Sequence, residues 1–304
     1  MRNVFSRLLV GIDDSAASKE AVAFATRLAC EYGGQLILCH SVNWVPLVTQ
    51  IAASGALVDS TPIIDDLKRE GEALLDQALD AARGRGVVAQ SRALEGEPAQ
   101  RILELAAEAK CSLIVMGTHG RTGLERLFVG STTEAVLRQS TIPVLTVRSG
   151  TKRSEGTHRC FERLVVGVDE SDPSDAAIQT VLKLPHENLR QVFFYSVAGT
   201  GDDTREQAER VVRKAAALAH ARDISAEGHV IGGTPGEALI AAAQQRDADL
   251  IVLGSHGRRG LQRLFLGSVA EYVVRNAPLP VLVVRTGENV PLAAALAAKH
   301  EPYH

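Results

Sequence analysis

Two almost identical segments of 15 residues contain most of the features that could bind a ligand. The first, GTHGRTGLERLFVGS, runs from Gly117 to Ser131, and the second, GSHGRRGLQRLFLGS, runs from Gly254 to Ser268. Eleven of the 15 positions are identical, and the glycines keep the same offsets. Because glycine lets the backbone approach a ligand without interference from a Cβ atom, the repeated glycines indicate binding rather than packing alone.

The residue types in both segments suit a polyphosphate. A glycine corner follows an apolar run, arginines follow the corner, and a Gly-Ser pair then begins a predicted helix. A helix N-terminus offers free N–H groups and partial positive charge, which favour a phosphate. The candidate residues are Met116, Gly117, Gly120, Arg121, Gly130, Ser131 and Thr132 in the first copy, and Gly254, Gly257, Arg258, Gly267 and Ser268 in the second.

A purely structural role is an alternative for the two serines. Ser131 with Glu134, and Ser268 with Glu271, match the S-x-x-E pattern of a capping box. A capping box satisfies free N–H groups at the start of a helix and stabilises it by about 0.5–2 kcal/mol without a ligand. Each serine can therefore cap the helix, contact a ligand, or do both.

Two aspartates are candidates for the other end of the site. Asp13 follows Val-Gly-Ile and Asp169 follows Val-Gly-Val, so each stands where a predicted strand leaves its sheet. There each carboxylate can hydrogen-bond a ribose hydroxyl or share a Mg²⁺ ion with phosphate oxygens. Capping of the next helix is the alternative, but an Asp-Ser or Glu-Ser pair follows each aspartate and is available for that task.

The duplication extends beyond these segments and predicts a tandem repeat. We expect repeat 1 at residues 1–148, a polar linker at 149–161, repeat 2 at 162–286 and a tail at 287–304. The matching stretches are RLLVGIDDSAAS (7–18) with RLVVGVDESDPS (163–174), SLIVMG (112–117) with DLIVLG (249–254), and IPVLTVR (142–148) with LPVLVVR (279–285).

Each repeat alternates short apolar runs with helical periodicity, which predicts an α/β fold with a parallel sheet covered on both faces. Repeat 1 has an additional stretch, residues 43–60, whose Pro, Gly and Ser content predicts a long loop over one sheet edge. The predicted strands of repeat 1 are 8–12, 36–42, 87–94, 113–116 and 144–147, and its predicted helices are 16–32, 64–83, 98–109 and 132–139.

Composition excludes several classes of protein. A formal net charge of −3 over 304 residues does not provide the basic surface of a nucleic-acid-binding protein. The N-terminus lacks the apolar run of a signal peptide, and no stretch approaches the length of a membrane span. The four cysteines are far apart, with no CxxC pair, as expected in a reducing cytosol. We therefore expect a cytoplasmic protein with neither a membrane nor a nucleic-acid partner.

The pattern G-2x-G-9x-G-[S/T], with a Val-Gly-hydrophobic-Asp strand upstream in both copies, resembles the universal stress protein family in its tandem two-domain form. The resemblance covers nearly the whole chain. It implies two doubly wound domains, each with five parallel strands in the order 3-2-1-4-5, and ATP held between strands 1 and 4. It also implies that the two repeats imitate a dimer paired through the last strands.

The resemblance implies roles for individual residues as well. Asp13 and Asp169 would lie near the ribose and the metal, and Val42 and Val197 would meet the adenine. The phosphates would be held by Gly117, Gly120, Gly130 and Ser131 in repeat 1, and by Gly254, Gly257, Gly267 and Ser268 in repeat 2.

The two copies differ at the predicted phosphate end. Thr132 and Thr133 follow the serine in repeat 1, whereas Val269 and Ala270 follow it in repeat 2 and offer no hydroxyl. We therefore expect repeat 1 to bind ATP more tightly.

The chain has no GxxxxGK[ST] motif and no nucleophile elbow. Three functions remain: an ATP-binding regulator with an unidentified protein partner, a slow ATPase, and a scaffold that ignores nucleotide. The sequence leaves open whether two chains associate further into a homodimer.

Overall fold

A computed structural model describes residues 4–54, 59–118, 129–150, 159–185, 187–199, 202–257 and 266–285. Within these ranges the chain forms ten strands and nine helices, which alternate in both repeats. The strands are β1 (Arg7–Gly11), β2 (Gln35–Val42), β3 (Val88–Glu95), β4 (Leu113–Gly117), β5 (Val144–Val147), β6 (Arg163–Gly167), β7 (Gln191–Val197), β8 (Ala226–Ile231), β9 (Leu250–Gly254) and β10 (Val281–Val284).

The helices follow the same order in the two repeats, and one extra helix lies in repeat 1. They are α1 (Ala16–Tyr32), α2 (Val45–Ala53), α3 (Thr61–Arg83), α4 (Pro98–Glu108), α5 (Ser131–Gln139), α6 (Asp172–Val181), α7 (Asp202–His220), α8 (Pro235–Gln245) and α9 (Ser268–Asn276). Among the described helices, none combines the length and apolar character that a membrane span requires.

The extra helix α2 corrects the prediction of a loop over residues 43–60. Pro46 lies in the first turn of α2, where a missing backbone N–H does not break the helix. The Val48 N–H donates to the Trp44 carbonyl oxygen over 3.1 Å, so helical hydrogen bonding begins at once. Proline and polar residues close to one another suggested a loop, although the proline stands at a helix start.

Each repeat has the strand order predicted from the resemblance. The order is β3-β2-β1-β4-β5 in repeat 1, and β8-β7-β6-β9-β10 in repeat 2. All strand pairs within a repeat are parallel, whereas β5 and β10 pair antiparallel and join the repeats into one ten-stranded sheet. Leu145 lies opposite its own counterpart, Leu282, at the centre of this pair. The repeats are therefore related by a local two-fold axis, as in a symmetric dimer.

The core continues across both repeats on each face of the sheet. On the α1 side, the Phe161 ring packs 5.8 Å from its counterpart Phe5 and 5.6 Å from Phe24, measured between ring centroids. The carboxylate of Glu31 also accepts hydrogen bonds from the Cys160 N–H, over 2.7 Å, and from the Asn188 side chain, over 2.8 Å. The two repeats therefore share one core in addition to one sheet.

Substitution of Phe161 should destabilise the whole chain. The side chain, at the last residue of the predicted linker, is 1% exposed and contacts aromatic rings of repeat 1. We expect Phe161→Ala to lower the free energy of unfolding by about 3–5 kcal/mol, measured by urea denaturation. Val45→Ala, at a side chain that is 51% exposed, is the control and should change it by less than about 0.5 kcal/mol. A loss below about 1 kcal/mol for Phe161→Ala would contradict a shared core.

Candidate functional site

The carboxyl ends of β1, β2 and β4 meet the N-terminus of α5 around a cavity of about 440 Å³. The parallel pairing of β1 with β4 brings these ends together at one edge of the sheet. Seven residues singled out from the sequence line this cavity: Asp13, Val42, Met116, Gly117, Gly130, Ser131 and Thr132. Three other candidates, Gly120, Arg121 and Arg258, lie outside the described residues.

The capping box predicted at Ser131 is wrong. Gly130 is the N-cap of α5, so Ser131 is the first helical residue and cannot act as the cap. The Glu134 N–H donates to the Gly130 carbonyl oxygen over 2.9 Å, and the Glu134 carboxylate pairs with Arg138 at 2.5 Å. The Ser131 side chain is exposed at the edge of the cavity, in a position suited to a ligand.

Repeat 2 departs from the capping box in the same way. Gly267 is the N-cap of α9 and Ser268 is its first residue. Glu271 pairs with Arg275 at 2.7 Å, one turn further along the helix, instead of turning back to the cap. In both copies the carboxylate therefore forms an i,i+4 ion pair.

The two threonines after Ser131 have different roles. Thr133 is buried, and its hydroxyl donates to the Gly117 carbonyl oxygen over 2.7 Å, which ties the start of α5 to the end of β4. Thr132 is half-buried and lines the cavity. Both threonines line the cavity, but the Thr133 hydroxyl already donates its proton to Gly117.

Gly117 and Gly254 are required by close packing. A Cβ atom at Gly117 would lie 2.7 Å from the carbonyl carbon of Ala17, and one at Gly254 would lie 2.7 Å from that of Pro173. These distances are shorter than real Cβ contacts, so each glycine allows the end of its strand to approach the first turn of the first helix of the same repeat. This reason for glycine is independent of any ligand.

Asp13 organises the start of α1 and also lines the cavity. One carboxylate oxygen, Oδ1, accepts hydrogen bonds from the Ser15 N–H over 3.0 Å and from the Ser15 hydroxyl over 2.5 Å. Ser15, one of the two residues that the sequence offered for capping in place of Asp13, is the N-cap of α1, and its hydroxyl accepts from the Ser18 N–H. The Asp13 N–H in turn donates to the Ser18 hydroxyl oxygen over 3.0 Å. The carboxylate is therefore held in place before any ligand binds.

Repeat 2 has the same arrangement around Asp169, with one additional contact. The Ser171 N–H and hydroxyl donate to Asp169 Oδ1 over 2.9 and 2.5 Å. The Ser171 hydroxyl also lies 3.3 Å from the carbonyl oxygen of His256. A Cβ atom at Gly257 would lie 2.7 Å from Asp169 Oδ2, so glycine allows the turn after β9 to pass against this carboxylate.

Part of the cavity wall is apolar. Ile102 and Met116 line it, and a Cβ atom at Gly11 would lie 2.7 Å from the Met116 sulfur. Cys39 is also part of the lining. The indole N–H of Trp44, just after β2, donates to the carboxylate of Glu95, at the end of β3, over 3.4 Å. Trp44 therefore packs beside the sheet and is not among the cavity's lining residues.

The apolar end differs in repeat 2. Strand register places Tyr195 at the position of Cys39, since Gly167 pairs with Tyr195 as Gly11 pairs with Cys39. The Tyr195 hydroxyl accepts from Arg246 over 3.1 Å, and its ring stacks on His229 with 5.0 Å between centroids. A large ring therefore occupies the place of a small thiol.

The same register assigns a different counterpart to Val42. Counted from the pair Gly167–Tyr195, Val197 takes the position of Ser41, and Ala198 takes that of Val42. Sequence spacing alone could not show this, because the strands were aligned by their apolar runs and not by their hydrogen bonds.

Metal ligation by the protein alone finds little support in the described part of the chain, where no three His, Cys, Asp or Glu side chains are grouped to hold an ion. A Mg²⁺ ion beside Asp13 or Asp169 would need oxygen ligands from phosphates and water.

Sequence reasoning missed several cavity residues. They come from segments that the sequence analysis did not connect to the site: the end of β2 with the residue after it, the N-terminal half of α3 and the start of α4. They are Cys39, His40, Ser41, Asn43, Leu67, Glu70, Pro98 and Ile102. The one available signal was the polar pair His40–Ser41 inside an otherwise apolar strand.

Cys39 should be slow to react although it lines the cavity. Burial, with a smaller contribution from Cys111, raises the pKa of the Cys39 thiol to about 12. Only roughly 1 in 10,000 of these thiols is ionised at pH 8, and the thiolate is the reactive form. At pH 8 we expect a disulfide reagent to label the exposed Cys30 and to leave Cys39 unlabelled, measured by peptide mass spectrometry.

The labelling rate of Cys39 should then rise about tenfold per pH unit, because the thiolate fraction rises tenfold per unit below the pKa. The Cys30→Ser variant removes the fast site and serves as the control. Labelling of Cys39 at pH 8 as fast as that of Cys30 would contradict the buried, protonated thiol.

The universal stress protein family model matches residues 5–148 and 161–285. A universal stress protein of Methanocaldococcus jannaschii is 36% identical over 151 residues, which are 49% of this chain and 86% of that protein. One of Mycolicibacterium smegmatis is 26% identical over 292 residues, covering 91% of this chain and 96% of that protein.

Among solved structures, a universal stress protein from Archaeoglobus fulgidus matches with a TM-score of 0.73 and 23% identity. The match covers 94% of this chain and 100% of that chain, so the likeness in fold includes both repeats. The two matches of the family model together span most of the sequence. This chain therefore belongs to the universal stress protein family, in a tandem form with two family domains.

Proposed function

We propose that the protein binds ATP and acts as a nucleotide-dependent regulator in the stress response, with its principal site in repeat 1. The observation that carries the proposal is the cavity itself. It places the first residues of α5, the Asp13 carboxylate and an apolar end around one volume of about 440 Å³. A volume of this order is typical of small-molecule sites.

The triphosphate would lie at the N-terminus of α5. The N–H groups of Ser131, Thr132 and Thr133 precede the first intrahelical hydrogen bond, which Glu134 makes to Gly130. Such groups have no acceptor within their own helix, and the positive end of the helix dipole adds to their attraction for an anion. The hydroxyls of Ser131 and Thr132 add two further donors at the cavity wall.

The nucleoside would lie across the opposite part of the cavity. Ile102, Met116 and Val42 offer apolar contacts to a base, and Asp13, which lines the same cavity, would accept a hydrogen bond from a ribose hydroxyl. A magnesium ion carried by the phosphates would meet the same carboxylate. Because Ser15 already orients Asp13, binding would require little reorganisation of this side chain.

Two differences support weaker binding in repeat 2. Val269 replaces Thr132 and removes a hydroxyl at the phosphate end. Tyr195 replaces Cys39 at the base end, where it is buried and fixed by Arg246. A larger side chain in a packed wall leaves less room for a base.

The Thr132→Val variant gives repeat 1 the residue of repeat 2 and tests the proposal. We expect its affinity for ATP to fall about two- to tenfold, the value of one hydrogen bond, in calorimetric titration of nucleotide-free protein. The matched control is Ser268→Ala, which should leave the tighter binding event unchanged. Equal losses from both changes would contradict the assignment of the principal site to repeat 1.

Two further measurements on the same protein separate the remaining functions. Mass analysis of nucleotide released from protein purified without added ATP should identify adenine nucleotide. Phosphate release at less than one turnover per bound ATP over hours is expected for a regulator, whereas many turnovers would indicate an ATPase. If the calorimetric titration shows no heat of binding at any ATP concentration, the result would favour a scaffold that does not bind nucleotide and would contradict the proposal.

A further inference from the structure

His40 makes a contact that the proposed function has not used. Its ring nitrogen Nδ1 lies 2.8 Å from the carbonyl oxygen of Ile12. A carbonyl only accepts hydrogen bonds, so Nδ1 carries the proton and donates it. The bond reaches β1 just past its last paired residue, since the ladder with β2 ends at Gly11–Cys39.

The acceptor belongs to the peptide group that carries Asp13. The Ile12 carbonyl and the Asp13 N–H are parts of one planar unit. His40 holds the oxygen of this unit, and the Ser18 hydroxyl accepts its N–H over 3.0 Å. With both ends bonded, the peptide plane has one orientation, and that orientation sets the direction in which the Asp13 side chain leaves the backbone.

Helix α3 has room for the imidazole of His40 because residue 71 is glycine. A Cβ atom at Gly71 would lie 2.5 Å from His40 Cδ2 and 3.1 Å from its Nε2. Glycine inside a helix is less favourable than alanine. Gly71 is buried in the middle of α3, where only the removal of a side chain makes room for the ring.

Repeat 2 has different residues at the positions of both His40 and Gly71. Ser196 takes the position of His40, one residue after Tyr195 in the register. Ala208 takes that of Gly71, because the buried residues 71, 75, 78 and 82 of α3 match 208, 212, 215 and 219 of α7 in spacing. A large side chain facing glycine has thus become a small side chain facing alanine, which keeps the packing and omits the imidazole.

We propose that His40 is a positioning residue of the nucleotide site of repeat 1, which acts on ligand binding by fixing the Ile12–Asp13 peptide, with Gly71 as the gap that admits it. The proposal rests on the proposed function for its ligand. Repeat 2 retains the other half of the clamp, the Asp169 N–H bond to Ser174 over 2.9 Å, and lacks the imidazole. In repeat 1, the site proposed to bind ATP more tightly, both ends of this peptide are held by side chains.

The variant His40→Ser/Gly71→Ala transplants the pair of repeat 2 into repeat 1 and should fold, because the same pair is accommodated in repeat 2. We expect its thermal midpoint to stay within about 3 °C of the wild type and its ATP affinity to fall about two- to tenfold. His40→Asn should rescue binding to within about twofold, since its amide nitrogen can take the place of Nδ1 as donor.

On an Asp13→Ala background the transplanted pair should cause no further loss of affinity, because His40 acts through Asp13. An equal loss on both backgrounds, or wild-type affinity in the His40→Ser/Gly71→Ala variant, would overturn the proposal. The matched control in repeat 2, Ser196→Ala, should leave the tighter binding event unchanged.

A measurement without nucleotide separates this proposal from the proposed function. In ligand-free protein, amide hydrogen exchange around residues 12–14 should be faster in His40→Ser/Gly71→Ala and unchanged in His40→Asn. Failure of the wild type to take up ATP would contradict the proposed function, and the exchange result would still decide whether His40 fixes this peptide. Exchange that is the same in all three proteins would overturn the positioning role.

Discussion

The parallel pairing of β1 with β4 is the interaction on which the candidate site depends. It brings two chain segments about 100 residues apart to one edge of the sheet, so that the peptide after β1 and the helix after β4 face the same cavity. Gly117 makes this close packing possible, because only a residue without a Cβ atom lets the end of β4 meet the first turn of α1. The hydrogen bond from Thr133 to the Gly117 carbonyl then fixes the start of α5 to the same strand.

Duplication has preserved this frame in repeat 2 and changed what lines it. Gly254 packs on Pro173 as Gly117 packs on Ala17, and Asp169 holds its capping serine as Asp13 does. Four of the differences lie at the cavity of repeat 1 or beside a residue that lines it. They are Thr132 against Val269, Cys39 against Tyr195, and the pair His40 and Gly71 against Ser196 and Ala208.

Fusion of the repeats has made their mutual arrangement part of the fold. The antiparallel β5–β10 pair closes two sheet edges that would otherwise expose unpaired backbone groups. Around it, Phe161 packs on aromatic residues of repeat 1, and Glu31 bonds to the backbone of Cys160. These contacts join the cores of both repeats, so a change at one site can reach the other only through a continuous packed structure.

The tandem repeat and the alternation of strands and helices could be predicted from the amino-acid sequence, because apolar periodicity and repeated motifs are local signals. The family resemblance added the strand order. The sequence could not determine that Gly130 rather than Ser131 caps α5, or that α2 is a helix, since caps depend on backbone angles and a proline suits both loops and helix starts. Only the tertiary structure showed that His40 meets Ile12 and that Gly71 makes room for it. These residues lie on separate elements, and their contact arises from how α3 packs on the sheet.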